Sequence, residues 1–92
     1  MSIKILIADD HPLIADGIKN TFNNQEDFQV VGVVENGTDA LNFIKESEVD
    51  VILLDINMPE MDGIQCAKSI LKNFPKIKIA MLSMHQEYLL SV

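Results

Sequence analysis

The sequence Val51-Ile52-Leu53-Leu54-Asp55 sets four apolar residues directly before a carboxylate. A short run that is apolar at every position is typical of a strand buried on both faces, as in the middle of a parallel sheet. The turn-rich sequence from Met58 to Gly63 follows this run. The stretch therefore predicts a central strand that carries an aspartate at its carboxyl end.

Apolar, β-rich runs alternate with helix-period stretches along the rest of the chain. The strands are predicted at 3–8, 28–34, 51–54 and 77–82, and the helices at 12–24, from 37 onward, at 64–74 and again from Gln86. Pro12 suits a first helical turn, and Thr38 is the expected N-cap of the second helix. This alternation predicts an α/β fold, a doubly wound parallel sheet with helices on both faces and right-handed crossovers.

The composition allows one small domain with a core of its own, because 48% of the 92 residues are hydrophobic. A net charge of −7 argues against direct nucleic-acid binding and fits a cation or a basic protein partner better. Cys66 is the only cysteine, so no internal disulfide can form, and we expect it to be a small buried side chain. Without a signal-peptide pattern or a membrane-length apolar stretch, the chain is expected to be cytoplasmic, with no membrane contact.

Three aspartates lie at predicted strand ends: Asp9 and Asp10 after the first strand and Asp55 after the third. If these strands are neighbours, the carboxylates converge on one crevice, where two such charges about 4 Å apart repel by about 4 kcal/mol. A hard divalent cation such as Mg²⁺ or Mn²⁺ would remove this cost, and Asp55 could then accept a phosphoryl group as a nucleophile. On spacing alone an alternative is equally open: Asp9 and Asp10 cap the next helix and Asp55 lies in a turn.

Four segments, in order, resemble the receiver domains of two-component response regulators. They are Ile5-Leu6-Ile7-Ala8-Asp9-Asp10-His11-Pro12, Glu35-Asn36-Gly37-Thr38-Asp39-Ala40-Leu41, the stretch from Asp50 to Gly63, and Met81-Leu82-Ser83-Met84-His85. The first and last segments are similar to the LuxR/NarL/FixJ class, whose members usually carry a C-terminal helix-turn-helix. The resemblance implies a flavodoxin-like sheet in the order 2-1-3-4, followed in complete receivers by a fifth strand.

The resemblance also implies roles for individual residues. Asp55 would be the phospho-acceptor for a sensor histidine kinase, which makes the domain a regulatory module and not an enzyme. Mg²⁺ would be bound by the side chains of Asp10 and Asp55 and the backbone carbonyl of Asn57, with Asp9 acting through a water. Ser83 would hydrogen-bond the acyl phosphate as the switch hydroxyl. His11 would line the rim of the site.

The chain departs from the receiver pattern at its end, because residues 1–92 stop before a fifth strand and the lysine that it carries. We therefore expect a truncated receiver without a DNA-binding domain, impaired in phospho-signalling, which would reach DNA only through a C-terminal helix-turn-helix that it lacks. Loss of the fifth strand would expose the edge of the fourth, Ile77–Leu82, and self-association through that edge is expected.

Three other classes of protein are alternatives to a receiver domain. A haloacid-dehalogenase-type phosphatase also uses an aspartate nucleophile but needs a second acid two residues later, where this chain has Asn57. A flavodoxin-like cofactor binder would have a phosphate loop rich in Thr, Ser and Gly, where this chain has Asp-Asp-His-Pro. A purely structural interaction domain that is never phosphorylated is the third.

Overall fold

A computed structural model describes residues 2–56, 58 and 63–82, together with the backbone of 89–91. The elements are β1 (Ile3–Ala8), α1 (Pro12–Asn23), β2 (Phe28–Val34), α2 (Gly37–Glu46), β3 (Val51–Asp55), α3 (Gly63–Asn73), β4 (Lys78–Leu82) and β5 (Leu89–Ser91). The first seven elements follow the predicted β-α alternation, and their ends lie within one residue of the predicted ends. Among the described residues no helix is both long and apolar enough to cross a membrane.

The sheet has the strand order β2-β1-β3-β4-β5. Strand β1 pairs in parallel with both β2 and β3, and β3 pairs in parallel with β4. The predicted order 2-1-3-4 and the doubly wound α/β class are therefore confirmed. Because β1 and β3 are parallel neighbours, their carboxyl ends open at the same edge of the sheet, where ligands bind in folds of this kind.

The chain after β4 differs from the prediction of a helix that begins at Gln86. Residues 89–91 form β5, which runs antiparallel to β4 and pairs with Ala80, Met81 and Leu82. The outer edge of β4 is therefore paired along these three residues and is not the exposed edge that the sequence predicted. With its backbone groups occupied by β5, this part of β4 no longer provides a reason for self-association.

The core lies on both faces of the sheet, because neighbouring side chains of a strand point in opposite directions. On one face, Ile5, Ile7 and Leu53 pack with Ala15 of α1. The larger cluster on the other face joins side chains of α2 and α3 to the sheet: Leu6, Ala8, Ala40, Ile44, Ile52, Leu54, Cys66, Ala67 and Ile70 are among its members. Strand β3 is thus buried on both sides as predicted, and Cys66 is a buried core side chain.

The starts of α1 and α2 both agree with the sequence, but the N-cap residue of α2 does not. Pro12 occupies the first turn of α1, as predicted. The N-cap of α2 is Asn36, not Thr38, because the Asn36 side-chain oxygen accepts a 2.8 Å hydrogen bond from the backbone N–H of Asp39. Thr38 lies inside the first turn of α2, so the prediction that it caps the helix was wrong.

Replacing Asn36 by alanine is expected to lower the free energy of unfolding by about 1 kcal/mol, since the N–H of Asp39 loses its partner. The matched control is Thr38→Ala, which removes a side chain from the same turn without removing the cap. Urea titrations of both variants would check this. Equal losses in the two variants, or a larger loss for Thr38→Ala, would contradict the assignment of the cap.

Candidate functional site

Three carboxylates meet at the carboxyl edge of the sheet. In the parallel pair of β1 and β3, Ala8 lies opposite Leu54. The residues that follow, Asp9 and Asp55, therefore reach the same crevice, and they are 4% and 1% exposed. Asp10 follows directly and is partly buried. The predicted convergence of the three aspartates is what the structure shows.

His11 contacts all three carboxylates from the rim of the crevice, the position that the resemblance implied, and its side chain is 37% exposed. Its Nδ1 is 2.8 Å from Oδ1 of Asp9, 2.9 Å from Oδ1 of Asp10 and 3.5 Å from Oδ2 of Asp55. The pKa of His11 is raised above its ordinary value, chiefly because its side chain hydrogen-bonds Asp9, with a further contribution from the charges of all three aspartates. The signal in the sequence was the spacing itself, since His11 directly follows the two aspartates.

The alternative role of Asp9 and Asp10 as helix caps does not hold in this structure. The N-cap of α1 is His11, and its side chain makes no capping hydrogen bond within the described part of the chain. Asp9 instead accepts a 2.8 Å hydrogen bond from the backbone N–H of His11, which precedes the helix. The side chain of Asp9 therefore holds His11 in place and does not satisfy the N–H groups of the first helical turn.

The donor atoms of the cluster fit a metal ion. One ligand atom from each of Asp9, Asp10, His11 and Asp55 lies within 4.8 Å of all the others. Oδ1 of Asp10 is buried and accepts no hydrogen bond from any residue that the structure describes. A buried carboxylate oxygen in this position is costly unless a cation offsets its charge. Carboxylate oxygens are the ligands that Mg²⁺ prefers, so the residues present suit that ion.

Gly63 brings the first turn of α3 against the end of β3. A Cβ added at this position would collide with the carbonyl oxygen of Asp55 and lie 2.7 Å from Cα of Ile56. The N–H of Gly63 also donates a 2.9 Å hydrogen bond to the carbonyl of Ile56. The backbone of Gly63 is helical, so a glycine is needed here for space and not for an unusual backbone conformation. Its absent side chain thus lets α3 pack on the residue expected to accept the phosphoryl group.

Two predicted site residues, Asn57 and Ser83, lie outside the described residues, and their roles remain predictions. Pro59 and His85 also lie outside them. Met58, between Asn57 and Pro59, is described, and it is buried in the core shared by α2 and α3. One described residue of this loop is therefore anchored in the core next to the crevice.

A doubly wound sheet with acidic side chains at the ends of β1 and β3 is the arrangement that the resemblance to receiver domains implied. The chain matches the model of the response regulator receiver domain over residues 5–91. It therefore belongs to the response regulator receiver domain family, and its class is that of the receivers of two-component systems.

Individual relatives agree with this family. The chain is 41% identical over 85 residues to the uncharacterized transcriptional regulatory protein YhcZ of Bacillus subtilis, covering 92% of this chain and 40% of that protein. It is 41% identical over 83 residues to the response regulator VraR of Staphylococcus epidermidis, covering 90% of this chain and 40% of VraR. The chain thus spans about two fifths of the length of these curated relatives.

Solved structures support the same fold. The signal receiver domain of the response regulator NarL from Mycobacterium tuberculosis superposes with a TM-score of 0.86 and 34% identity, covering 94% of this chain and 69% of that one. The RcsB response regulator of Salmonella typhimurium gives a TM-score of 0.84 and 34% identity, covering 90% of this chain and 43% of that one. One is a receiver domain and the other is a response regulator, as the predicted family requires.

Proposed function

We propose that this chain accepts a phosphoryl group on Asp55 from the phosphohistidine of a sensor histidine kinase. The observation that carries this proposal is the position of Asp55, a 1% exposed carboxylate at the end of β3 with Asp9 and Asp10 beside it. A carboxylate oxygen would attack phosphorus, the P–N bond to the kinase imidazole would break, and an acyl phosphate would remain. The displaced imidazole nitrogen leaves with the electron pair of that bond and takes up a proton.

The side chains of Asp10 and Asp55 and the carbonyl of Asn57 would hold Mg²⁺, with Asp9 acting through a water. Bound there, Mg²⁺ would offset the charge that develops on the phosphoryl oxygens during transfer. The side chain of Asp9 accepts a hydrogen bond from the backbone N–H of His11. This contact keeps the residues of the turn in one arrangement. Ser83 would then hydrogen-bond the acyl phosphate and draw its own loop toward the site.

The full-length regulator, we infer, controls transcription in the cytoplasm through a DNA-binding segment that is not among residues 1–92. The name of YhcZ describes a transcriptional regulatory protein, and RcsB has been solved in complex with DNA. The net charge of −7 supports the proposal that a segment other than residues 1–92 contacts DNA, since contact with DNA needs a basic surface. A helix-turn-helix of the LuxR/NarL class is the expected segment.

The proposal predicts that acetyl phosphate and Mg²⁺ together add one phosphoryl group to the wild-type chain. Intact-mass spectrometry would detect the addition, and Asp55→Asn should abolish it, because the amide oxygen is a much weaker nucleophile. Asp16→Asn, which changes the same charge on the exposed side of α1, is the matched control and should be phosphorylated normally. Equal phosphorylation of Asp55→Asn and wild type would contradict the assignment, and no phosphorylation of either would favour a structural interaction domain.

A further inference from the structure

We propose that His11 is a metal ligand through Nδ1, which gives the acidic crevice a site for borderline transition-metal ions such as Zn²⁺, Co²⁺ or Ni²⁺. This inference rests on the proposed metal site and extends its donor set beyond oxygen. Three carboxylates alone would favour a hard ion, whereas an imidazole nitrogen shifts the preference toward Zn²⁺, Ni²⁺ and Cu²⁺. The imidazole would thus decide which ion the crevice selects.

The distances in the cluster support a shared ion. Nδ1 of His11 is 2.8 Å from Asp9 Oδ1, 2.9 Å from Asp10 Oδ1 and 3.5 Å from Asp55 Oδ2. Neighbouring ligands of an octahedral ion with bonds of about 2.1 Å lie about 3.0 Å apart. Around a tetrahedral zinc ion with bonds of about 2.0 Å they lie about 3.3 Å apart. All three separations fall near these values, so small movements would place the four atoms around one ion.

Hydrogen bonding cannot account for all of these contacts. A ring nitrogen carries at most one hydrogen and can direct it at one carboxylate oxygen. The hydrogen bond to Asp9 occupies Nδ1, while Oδ1 of Asp10, only 2.9 Å away, is buried and receives no hydrogen bond from the described residues. A metal ion that displaces the proton from Nδ1, with the remaining ring hydrogen on Nε2, would satisfy this oxygen and the ring nitrogen together. Oδ1 of Asp10 is therefore a potential metal ligand that the hydrogen bonds among the described residues do not use.

The backbone holds the imidazole in place before any ion binds. A residue that precedes proline is restricted to extended conformations, and His11 precedes Pro12 with φ of −106° and ψ of 102°. Its backbone N–H is also fixed by the 2.8 Å hydrogen bond to Asp9. Because the ring is attached to this restrained residue, little conformational entropy is lost when Nδ1 binds a metal. The aspartates would then serve two classes of ion, and a bound Zn²⁺ would occupy oxygens that Mg²⁺ requires.

The test compares wild type with His11→Asn at about pH 8, where proton competition for an imidazole is small. Asparagine supplies an oxygen donor and is a favoured N-cap, so the start of α1 should be preserved. Isothermal titration with Zn²⁺, Ni²⁺ and Mg²⁺ should show that the variant loses at least about tenfold in affinity for Zn²⁺ and Ni²⁺, a scale that even outer-shell changes reach. Its Mg²⁺ affinity should change much less. His85→Ala is the matched control and should retain wild-type affinity for all three ions.

A second measurement, nuclear magnetic resonance of ¹⁵N-labelled imidazoles, observes Nδ1 of His11 directly. The chain has two histidines, so ¹⁵N-labelled imidazoles give one pair of signals for each. Zn²⁺ at one equivalent should shift the Nδ1 signal of His11 and leave that of His85 in place. Unchanged His11 signals, or equal Zn²⁺ affinity in wild type and His11→Asn, would overturn the inference while Mg²⁺ binding still supported the proposed function. Absence of Mg²⁺ binding by the wild-type chain would instead count against the proposed function.

Discussion

Replacing Gly63 by alanine is expected to lower the free energy of unfolding by about 3 kcal/mol, the upper part of the range for an overpacked core. The added Cβ would meet backbone on the strand side, namely the carbonyl of Asp55 and Cα of Ile56. Backbone atoms cannot rotate out of the way, so α3 or the end of β3 would have to move. Because Asp55 lies at this contact, we also expect slower phosphorylation by acetyl phosphate.

Gly17→Ala is the matched control for that change, since it makes the same substitution inside helix α1. Apart from its chain neighbours and the nearby backbone of α1, no atom of the described residues lies within 4 Å of a Cβ built at Gly17. Alanine is the better helix former, so this variant should gain about 0.5–1 kcal/mol in stability. Urea unfolding monitored by circular dichroism should show a lower free energy of unfolding for Gly63→Ala and a higher one for Gly17→Ala. A Gly63→Ala variant as stable as wild type would show that α3 does not need this close approach.

Removing the negative charge of Asp55 is expected to stabilise the metal-free protein and to abolish its response to Mg²⁺. The carboxylate is 1% exposed and its charge adds to those of Asp9 and Asp10. Two such charges about 4 Å apart cost about 4 kcal/mol at an effective dielectric constant of 20. We expect Asp55→Asn to recover on the order of half of this, about 2 kcal/mol, in EDTA at about pH 8.

Mg²⁺ should make the wild-type protein more stable than Asp55→Asn. An ion at about one hundred times its dissociation constant adds about 2.7 kcal/mol to the wild-type stability, because it binds only the folded chain, and this exceeds the advantage of Asp55→Asn in EDTA. Asp55→Asn, which lacks one of the carboxylates proposed to bind the ion, should gain little. Thermal melts with and without Mg²⁺ would test both statements, with Asp16→Asn as the control for a surface charge. An equal gain from Mg²⁺ in wild type and Asp55→Asn would exclude Asp55 as a ligand.

The main features of the fold could be predicted because local patterns and long-range pairing agree in this chain. The uniformly apolar run before Asp55 predicted a strand buried on both faces, and β3 is that strand. Its place beside β1 then followed from the expected strand order and brought the aspartates together. Strand β2 was predicted with the bounds that it has, Phe28–Val34, because an apolar run and its flanking polar residues marked both ends.

The features that the sequence did not predict depend on three-dimensional packing. The prediction of Thr38 as N-cap failed by two residues, since Asn36 and Thr38 are both good caps and only the helix start decides between them. Residues 89–91 were predicted to be helical, yet the edge of β4 offers them backbone partners and they form β5. The close approach of His11 to the three carboxylates depends on the turn between β1 and α1, whose geometry residue types alone do not fix.

The position of β1 between β2 and β3 has a consequence for synthesis of the chain. Ile3–Ala8 leaves the ribosome before both of its neighbours in the sheet, β2 at Phe28–Val34 and β3 at Val51–Asp55. One side of this apolar strand therefore lacks its partner until more than half of the 92 residues have been translated. At about 5–20 residues per second this interval lasts seconds, during which the nascent strand depends on the exit tunnel or a chaperone to avoid wrong partners.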